Sequence, residues 1–284
     1  MLFKKNVLLK DLTTWGIGGA IDLFIEAENQ QQLLTILRKT SGKKQYILGG
    51  GSNIFAPDSG VRGVVIRIGE SGSFGKTRRN GEFVKVGAGV PLGALVRKSA
   101  DAGLGGLTSL AGIPGTVGGA IAMNAGSASE GICERLVELR GLTFSGKFVR
   151  KTRNDFNLSY RSGGFEDLII TEAVFALDIS DPVQLRSEIE SCRSKKRSTQ
   201  PLSVRSAGCV FKNPPGDSAG RLIDIAGLKG FRIGGAEVST KHANFVVNTA
   251  GATASDIEHV IEEVRRVVHE RFGIILELEV KRWE

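Results

Sequence analysis

Cysteine, histidine and proline are all scarce in this chain of 284 residues. The three cysteines, Cys133, Cys192 and Cys209, lie far apart and form no Cys-x-x-Cys pair. A small disulfide scaffold is therefore excluded, and because Cys/His ligand spacing is missing we expect no metal site. Seven prolines are too few for a proline-rich disordered chain.

Long apolar runs are missing as well. No stretch of about 18 apolar residues occurs, so the sequence predicts no transmembrane helix. The N-terminal Met-Leu-Phe-Lys-Lys-Asn lacks the apolar core of a signal peptide. Because an odd number of cysteines without a secretory signal fits a reducing compartment, we expect a soluble, cytoplasmic protein with no membrane partner.

Acidic residues are outnumbered: 38 Lys and Arg against 30 Asp and Glu give a formal net charge of +8. A basic balance attracts anions such as phosphates, carboxylates and nucleic acids, although a basic solvated surface accounts for it equally well. The densest basic run, Arg193–Arg197, either attracts a diphosphate or is a solvated helix end. Aromatic residues make up only 6% of the chain, too few for a base-stacking platform, so we expect no nucleic-acid partner.

Hydrophobic periodicity predicts a mixture of short strands and amphipathic helices, the α+β or mixed α/β class, with two or three subdomains. The strands are predicted at Ile21–Glu26, Tyr46–Leu48, Val64–Ile68, Phe83–Val86, Leu136–Phe144, Leu168–Leu177 and Ile274–Lys281. The helices are predicted around Leu33–Leu37, from Pro91 to a stop at Gly103, after the Asp181-Pro182 cap, over Ser218–Ala226, and around Ile257–Val268. For the last helix, Ser255 and Glu258 form a capping-box pattern and Gly273 is the predicted stop.

Glycine is what the chain has in excess, with 38 residues, about twice the usual share of ~7%. Of these, 21 lie between Gly49 and Gly131. The strand-like Ile47-Leu48 runs into Gly49-Gly50-Gly51-Ser52-Asn53, and a second, uncharged glycine-rich stretch covers Gly103–Gly126. Glycines let another group approach the backbone, and successive N–H groups cup a phosphate. A tight turn and a small-residue core are the plain alternatives, yet two such segments together favour one nucleotide cofactor held mainly by backbone.

Seven motifs in the same order resemble the UDP-N-acetylenolpyruvoylglucosamine reductase (MurB) family. The most specific is the sixteen-residue Ala-Gly-Ile-Pro-Gly-Thr-Val-Gly-Gly-Ala-Ile-Ala-Met-Asn-Ala-Gly ending at Gly126. The other six are Thr13–Gly19, Gly49–Asn53, Tyr160-Arg161-Ser162, Ser206–Pro214, Lys241–Asn248 and Leu276–Val280. Together they span nearly the whole chain.

The resemblance implies a two-subdomain FAD-binding fold of the vanillyl-alcohol-oxidase (PCMH) type followed by a C-terminal α/β substrate domain. The implied division is 1-68 and 69-180 for the two FAD-binding subdomains and 181-284 for the substrate domain. The implied cofactor-binding residues are Gly49, Gly50, Gly51, Ser52, Asn53, Ser109, Gly112, Ile113, Pro114, Gly115, Thr116, Gly118, Gly119, Ala120, Asn124, Ala125 and Gly126.

The reaction that the resemblance implies belongs to peptidoglycan precursor synthesis. NADPH, as co-substrate, reduces FAD, and hydride then passes to the enolpyruvyl ether of UDP-N-acetylglucosamine. Proton delivery to the neighbouring carbon gives UDP-N-acetylmuramate. The cofactor carries the hydride chemistry and the protein supplies orientation and charge. The expected partner is this small-molecule substrate, and the expected state is a monomer.

Three residues take catalytic roles from the resemblance. Cys209 falls where the family has its proton donor, commonly serine, and a cysteine thiol, with an ordinary pKa of about 8.5, is mostly protonated at pH 7. Arg161 faces the substrate carboxylate. Glu279 matches the family's late glutamate and helps to orient or polarise the donor, although Leu278 stands where the family usually has proline. The plain alternatives are that Cys209 is a small buried thiol, that Arg161 is a surface residue in a turn, and that Glu279 lies on the solvent-exposed face of a strand.

Five further residues are implied to bind substrate: Tyr160, Lys212, Asn213, Lys241 and His242. Only 47 residues lie between Arg161 and Cys209, which leaves little room for the tyrosine-bearing insertion of the family's longer form. The chain therefore resembles the shorter form. Two other functions stay open: another FAD oxidoreductase of this fold that oxidises a hydroxyl donor, and a nucleotide-binding or regulatory protein without catalysis, for which the +8 charge also permits RNA.

Overall fold

The computed structural model describes residues 2–126 and 130–284 and divides into two compact units. The first unit takes its residues from Met1–Lys4, Leu23–Gly50 and Gly63–Lys195, and the second from Lys5–Asp22, Gly51–Arg62 and Lys196–Glu284. Each unit is thus built from separate stretches of chain. The predicted boundaries after residues 68 and 180 separate the two FAD-binding subdomains and the substrate domain, and they stay a prediction.

Strands and helices alternate irregularly along the chain, as the α+β class requires. The strands are β1 Leu2–Lys4, β2 Val7–Leu8, β3 Ala20–Ala27, β4 Gln45–Leu48, β5 Ile54–Phe55, β6 Val61–Ile68, β7 Thr77–Asn80, β8 Phe83–Gly87, β9 Leu104–Gly105, β10 Leu136–Thr143, β11 Phe148–Thr152, β12 Leu168–Ala176, β13 Asp178–Ile179, β14 Arg205–Ser206, β15 Arg232–Ile233, β16 Ala236–Val238, β17 Val246–Asn248 and β18 Lys281–Arg282. The helices are α1 Gln30–Lys39, α2 Leu92–Asp101, α3 Val117–Ala122, α4 Pro182–Thr199, α5 Ala219–Ile225 and α6 Ala254–Phe272.

The first unit contains two sheets with a shared core. One sheet has the order β1-β3-β6-β4, and its last pair is parallel, with Leu48 opposite Arg67. The other has the antiparallel order β11-β10-β12-β8-β7. Buried side chains of both sheets and of α1 and α2 form one core, in which Ile66, Leu95 and Phe175 are among the most buried. The carboxyl end of β4 leads directly into the first glycine-rich segment.

The second unit packs the long helix α6 against the antiparallel sheet β14-β17-β16-β15. Ile257, Val260 and Val264 recur at helical spacing on the buried face of α6. Trp15 is fully buried in the same core, where its indole N–H donates to the Val246 carbonyl at 2.9 Å. A second, parallel pair joins β5 to β18.

Most predicted elements are confirmed, with ends shifted by a few residues. Asp181 caps α4, since its carboxylate accepts from the Val183 N–H at 3.0 Å, and Pro182 is the first helical residue. Gly103 and Gly273 follow α2 and α6 with φ of +70° and +69°, in the left-handed region where glycine carries no Cβ penalty.

Two predictions for the last quarter of the chain are wrong. The capping box of α6 is formed by Thr253 and Asp256, not by Ser255 and Glu258, because the helix begins two residues earlier than the pattern indicated. The strand predicted at Ile274–Lys281 is also absent; in the described part of the chain only Lys281–Arg282 forms a ladder there. In the described residues the rest of that stretch makes a single bridge, Leu278 opposite Phe211, whose own N–H and carbonyl bond the Asn244 side chain.

None of the helices in the described residues is long and apolar enough to cross a membrane.

Cys133 gives a test of the first core. Its thiol is fully buried, 3.6 Å from the Ile121 carbonyl, and burial raises its pKa from 9.0 to about 12. In the unfolded chain the thiol ionises at lower pH, so the unfolded state gains stability as the pH rises past 9. We therefore expect the free energy of unfolding to fall between pH 9 and pH 12, and to fall less in Cys133→Ala.

Urea unfolding across that pH range measures this difference. Cys192→Ala, at a half-buried position on α4, is the matched control and should follow the parent chain. An equal alkaline loss in Cys133→Ala and the parent chain would contradict the assignment.

Candidate active site

The two glycine-rich segments meet inside the first unit. A Cβ on Gly50 would stand 2.6 Å from the Gly115 Cα, and one on Gly49 would stand 2.6 Å from the Thr116 Oγ1. Real Cβ atoms do not approach other atoms this closely, so only glycine permits the contact. Gly112 and Gly115 also have φ of +83° and +110°, values that L side chains rarely adopt.

The outer side of this contact is open and lined by backbone. Gly50, Gly112 and Gly119 are exposed, and the nearest atom to a Cβ on Gly119 would be the Thr116 Oγ1 at 3.6 Å. Among the described residues, no acceptor takes a hydrogen bond from the amide of Gly50 or of Gly115. Backbone N–H groups without a protein acceptor are suited to bind an anionic ligand.

The remaining predicted cofactor residues of this unit lie in or beside the same segment. Gly118 is a packing glycine, since its Cβ would stand 2.8 Å from that of Ala88, and Ala120 is buried. Ile113 and Ala125 are half-buried against the core, while Ser109 lies in a single helical turn, Thr108–Leu110. Pro114 is exposed between them. These residues shape the segment more than they offer polar groups.

The end of the second glycine-rich segment is tied to the turn that carries Arg161. Asn124, with φ of +40°, accepts from the Cys133 N–H at 3.2 Å and donates to the Ser159 carbonyl at 3.3 Å. Gly163 donates from its amide to the Ala122 carbonyl at 3.1 Å. The turn is therefore fixed at both ends to α3 and its neighbour.

Arg161 occupies the tip of this turn in a strained conformation. Ser159 and Ser162 pair with each other, and Arg161 has φ of +60°, which costs a side-chain-bearing residue about 1 kcal/mol. Its Nη1 donates to the Gly126 carbonyl at 2.9 Å, and the guanidinium lies 4.8 Å from the centroid of the Tyr160 ring. The structure thus brings two predicted site residues, Arg161 and Gly126, into direct contact.

In the second unit, the segment after Cys209 pairs with the segment that carries Glu279. Phe211 lies opposite Leu278. The Glu279 N–H donates to the Val210 carbonyl and the Lys212 N–H to the Glu277 carbonyl, both at 2.8 Å. Cys209 directly precedes this pair, and both Cys209 and Glu279 are half-buried. The predicted proton donor and the predicted glutamate therefore belong to neighbouring extended segments.

Asn244 holds the other side of the same segment. Its side chain accepts from the Phe211 N–H at 2.9 Å and donates to the Phe211 carbonyl at 2.8 Å. Its own carbonyl accepts from the Val210 N–H at 2.8 Å. Only 3% of Asn244 is exposed, so these bonds form away from water. Sequence reasoning missed this role; the available signal was a lone amide between Ala243 and Phe245.

Lys212 and Asn213 follow Phe211 and lie on the surface of the second unit. Lys212 forms an ion pair with Glu277 at 3.2 Å. The side-chain oxygen of Asn213 accepts from the Ala219 N–H at 3.1 Å, at the start of α5. Both predicted substrate-binding side chains are thus oriented by local partners.

Lys241 and His242 precede Asn244. The Lys241 ammonium donates to the Arg197 carbonyl. The His242 Nδ1 accepts from the Asn244 N–H at 3.3 Å, and its ring packs edge-on against Phe245. Burial, with a smaller contribution from the charge of Lys229, lowers the pKa of His242 below 6.5. His242 is therefore neutral at pH 7.

The first glycine-rich segment ends in the second unit. Gly51 has φ of +65°, and its Cβ would stand 2.0 Å from the Leu12 carbonyl oxygen. Ser52 and Asn53 are half-buried, and the Asn53 side chain donates to the Glu279 carbonyl at 3.1 Å. The structure thus joins Asn53 to Glu279, a contact that the sequence did not indicate.

Comparison with known proteins first defines the class. Residues 21–152 match the family model described as FAD binding domain, and a solvent-stable cholesterol oxidase shares the fold, with a TM-score of 0.50 at 19% identity over 63% of this chain and 38% of that one. The chain therefore contains an FAD-binding domain and shares its fold with this oxidase.

The family follows from the rest of the chain. Residues 200–283 match the model described as UDP-N-acetylenolpyruvoylglucosamine reductase, C-terminal domain. The chain belongs to the UDP-N-acetylenolpyruvoylglucosamine reductase family.

Individual relatives match over nearly the full length. UDP-N-acetylenolpyruvoylglucosamine reductase 2 of Symbiobacterium thermophilum is 41% identical over 279 residues, 97% of this chain and 90% of its own. The Synechococcus reductase is 41% identical over 287 residues, 98% and 93% of the two chains. The crystal structure of the Thermus caldophilus enzyme has a TM-score of 0.87 and 35% identity, with 100% of both chains covered.

These findings confirm the predicted family, fold class and FAD. The fit of the cofactor also rests on this structure, because the exposed glycines and the amides of Gly50 and Gly115 offer the neutral, donor-rich backbone that a diphosphate-bearing nucleotide needs. No group of three or more His, Cys, Asp or Glu residues in the described part of the chain is arranged to hold a metal ion.

The Asn244 contacts give a stability test. Asn244→Ala removes both side-chain bonds and leaves the Phe211 N–H and carbonyl buried without them, so we expect a loss of about 2–4 kcal/mol in the free energy of unfolding. Urea unfolding measures it, and Asn80→Ala, at the exposed end of β7, is the control. A loss equal to that of the control would contradict a role for Asn244 in holding the segment.

Proposed function

We propose that the protein reduces the enolpyruvyl ether of UDP-N-acetylglucosamine to UDP-N-acetylmuramate with NADPH as electron source. Membership of the family and relatives of that name over nearly the full length support this reaction. The observation that carries the proposal is the pairing of the Cys209–Lys212 segment with Glu277–Glu279. It favours a reductase with its own proton donor over an oxidase or a binding protein, which need no such pair.

Bound FAD supplies the hydride for the enolpyruvyl carbon. In this chain the backbone of Gly49–Asn53 and of Gly112–Gly126 would hold it, with Ser109 and Thr116 as the hydroxyl groups of the site. These two segments contain no charged side chain, so they place no carboxylate of their own beside a diphosphate. The side chains of the protein are then left to bind the substrate and to manage the charge that develops on it.

Arg161 binds the substrate carboxylate and stabilises the negative charge that grows beside it as hydride arrives. A guanidinium presents five N–H donors in a fixed plane, and one of them is already committed to the Gly126 carbonyl. The strained turn and the Tyr160 ring hold that plane before substrate binds. A donor set fixed in advance costs little reorganisation in the transition state, which is where such stabilisation accelerates a reaction.

Cys209 donates the proton. Its S–H bond breaks as a C–H bond forms at the carbon next to the carboxylate, and the thiolate regains a proton from solvent. Glu279, on the neighbouring segment, orients or polarises the thiol. Asn244 and the Leu278 bridge fix the backbone that follows Cys209, so the donor is presented by a rigid segment.

Tyr160, Lys212, Asn213, Lys241 and His242 bind the remainder of the substrate. Lys212 and Lys241 carry positive charge suited to a diphosphate. His242, neutral because burial lowers its pKa, adds no charge and serves as a hydrogen-bonding group. Because the chain resembles the shorter form of the family, we assign no tyrosine-bearing insertion over the substrate.

Cys209→Ala tests the proton donor. The purified parent protein should be yellow, should be bleached by NADPH and should regain its colour when the enolpyruvyl substrate is added. In Cys209→Ala, stopped-flow absorbance should show unchanged reduction by NADPH, while reoxidation by substrate falls about 10²- to 10⁴-fold because general-acid catalysis is lost.

Cys192→Ala is the control and should behave as the parent protein. A colourless protein that binds no FAD would overturn the proposed reaction. Unchanged reoxidation in Cys209→Ala would show that the donor lies elsewhere.

Arg161→Lys tests the carboxylate site. The lysine keeps the charge but loses the planar fork and the stacking on Tyr160. We expect the reoxidation rate with substrate to fall about 10²- to 10³-fold, with reduction by NADPH unchanged. Arg150→Lys, on the exposed edge strand β11, is the control. Equal losses in both half-reactions would argue that Arg161 supports the fold and not the substrate.

A further inference from the structure

Asn53 and Glu279 lie just before two strands of the second unit that pair with each other. Asn53 precedes β5 and Glu279 lies two residues before β18, and these strands pair in parallel with Lys281 opposite Ile54. The Asn53 side chain donates to the Glu279 carbonyl at 3.1 Å, and the Asn53 carbonyl accepts from the Lys281 N–H at 2.9 Å. Asn53 therefore holds the chain on the carboxyl side of Glu279.

The amino side of Glu279 is held by a different partner. Its N–H donates to the Val210 carbonyl at 2.8 Å, on the segment that follows Cys209. The two peptide groups of Glu279 thus have separate anchors, one on the Cys209 segment and one on Asn53. Glu279 belongs to no strand, so these two hydrogen bonds help to fix its backbone where strand pairing does not.

Asn53 is itself well fixed. Two residues earlier, Gly51 packs so closely on Leu12 that a Cβ would stand 2.0 Å from its carbonyl oxygen. The Gly51 carbonyl also accepts from the Thr14 N–H at 3.1 Å. An anchor of this kind suits a catalytic group, since catalytic geometry must hold to within about 0.5 Å.

We propose that Asn53 is a positioning residue for Glu279, with its side-chain amide serving the glutamate's backbone and not the cofactor. This rests on the proposed function, in which Glu279 acts on Cys209. It assigns the last residue of Gly49–Asn53 a task different from that of the glycines before it. The loop that would hold FAD through backbone would then also set the position of the catalytic glutamate.

Asn53→Asp keeps the shape of the side chain but replaces its N–H donor with a negatively charged carboxylate oxygen. Fluorescence titration should give an FAD dissociation constant within about twofold of the parent value, and reduction by NADPH should be unchanged. Reoxidation by substrate should slow about 10- to 100-fold, since small displacements of a catalytic group cost that much. Asn53→Ala, which adds no charge, should do the same, and Asn80→Asp is the control.

A double-mutant cycle with Glu279→Gln separates positioning from general support. If Asn53 acts through Glu279, Asn53→Asp should slow reoxidation by less than about twofold in the Glu279→Gln background. Full, independent losses in the double variant would overturn the proposal. So would weaker FAD binding with normal reoxidation, which would make Asn53 a cofactor ligand.

The failure of the proposed function gives a different result. If Glu279→Gln alone left reoxidation unchanged, the catalytic role of Glu279 would be wrong and Asn53 would have nothing to position. If Glu279→Gln slowed reoxidation and both Asn53 variants did not, only the positioning role would be overturned.

Discussion

The proposed catalytic part of the second unit depends on one short piece of backbone pairing. Phe211 lies opposite Leu278 with one backbone hydrogen bond on each side, and the Lys212–Glu277 ion pair also joins the segment after Cys209 to the segment of Glu279. The two backbone hydrogen bonds contribute little by themselves, about 1 kcal/mol each. They suffice because Asn244 holds Phe211 from the opposite side and Asn53 holds the far end of Glu279. The proposed donor and glutamate are therefore placed by the side-chain amides of Asn244 and Asn53, and not by a long strand.

The glycine excess has two physical causes in the first unit. Gly49 and Gly50 are small because Gly115 and Thr116 lie against them, whereas Gly112 and Gly119 leave backbone exposed where a ligand can approach. The two glycine-rich segments therefore contain both closely packed glycines and glycines with exposed backbone. Uncharged backbone donors then leave the charged and thiol groups to the substrate.

Sequence reasoning succeeded where the signal is local. The Asp181-Pro182 cap, the Gly103 and Gly273 stops and the apolar face of α6 are all set by residues within one or two helical turns, and all are confirmed. The strand predicted at Ile274–Lys281 was wrong because alternation describes exposure and not the length of the available partner. The contacts of Asn53 with Glu279 and of Asn244 with Phe211 were not predicted, since these partners lie 226 and 33 residues away in sequence. The catalytic roles themselves came from family resemblance, because no spacing rule distinguishes Cys209 from a buried thiol.

The central claim is that a thiol at position 209 delivers the proton. A thiol can donate only while protonated, whereas a serine hydroxyl stays protonated across the accessible pH range. The most direct measurement is the pH profile of reoxidation by substrate in the parent protein and in Cys209→Ser. We predict an alkaline fall in the parent profile that disappears in Cys209→Ser while activity remains. The same alkaline fall in both proteins would show that the proton comes from a group other than the Cys209 thiol.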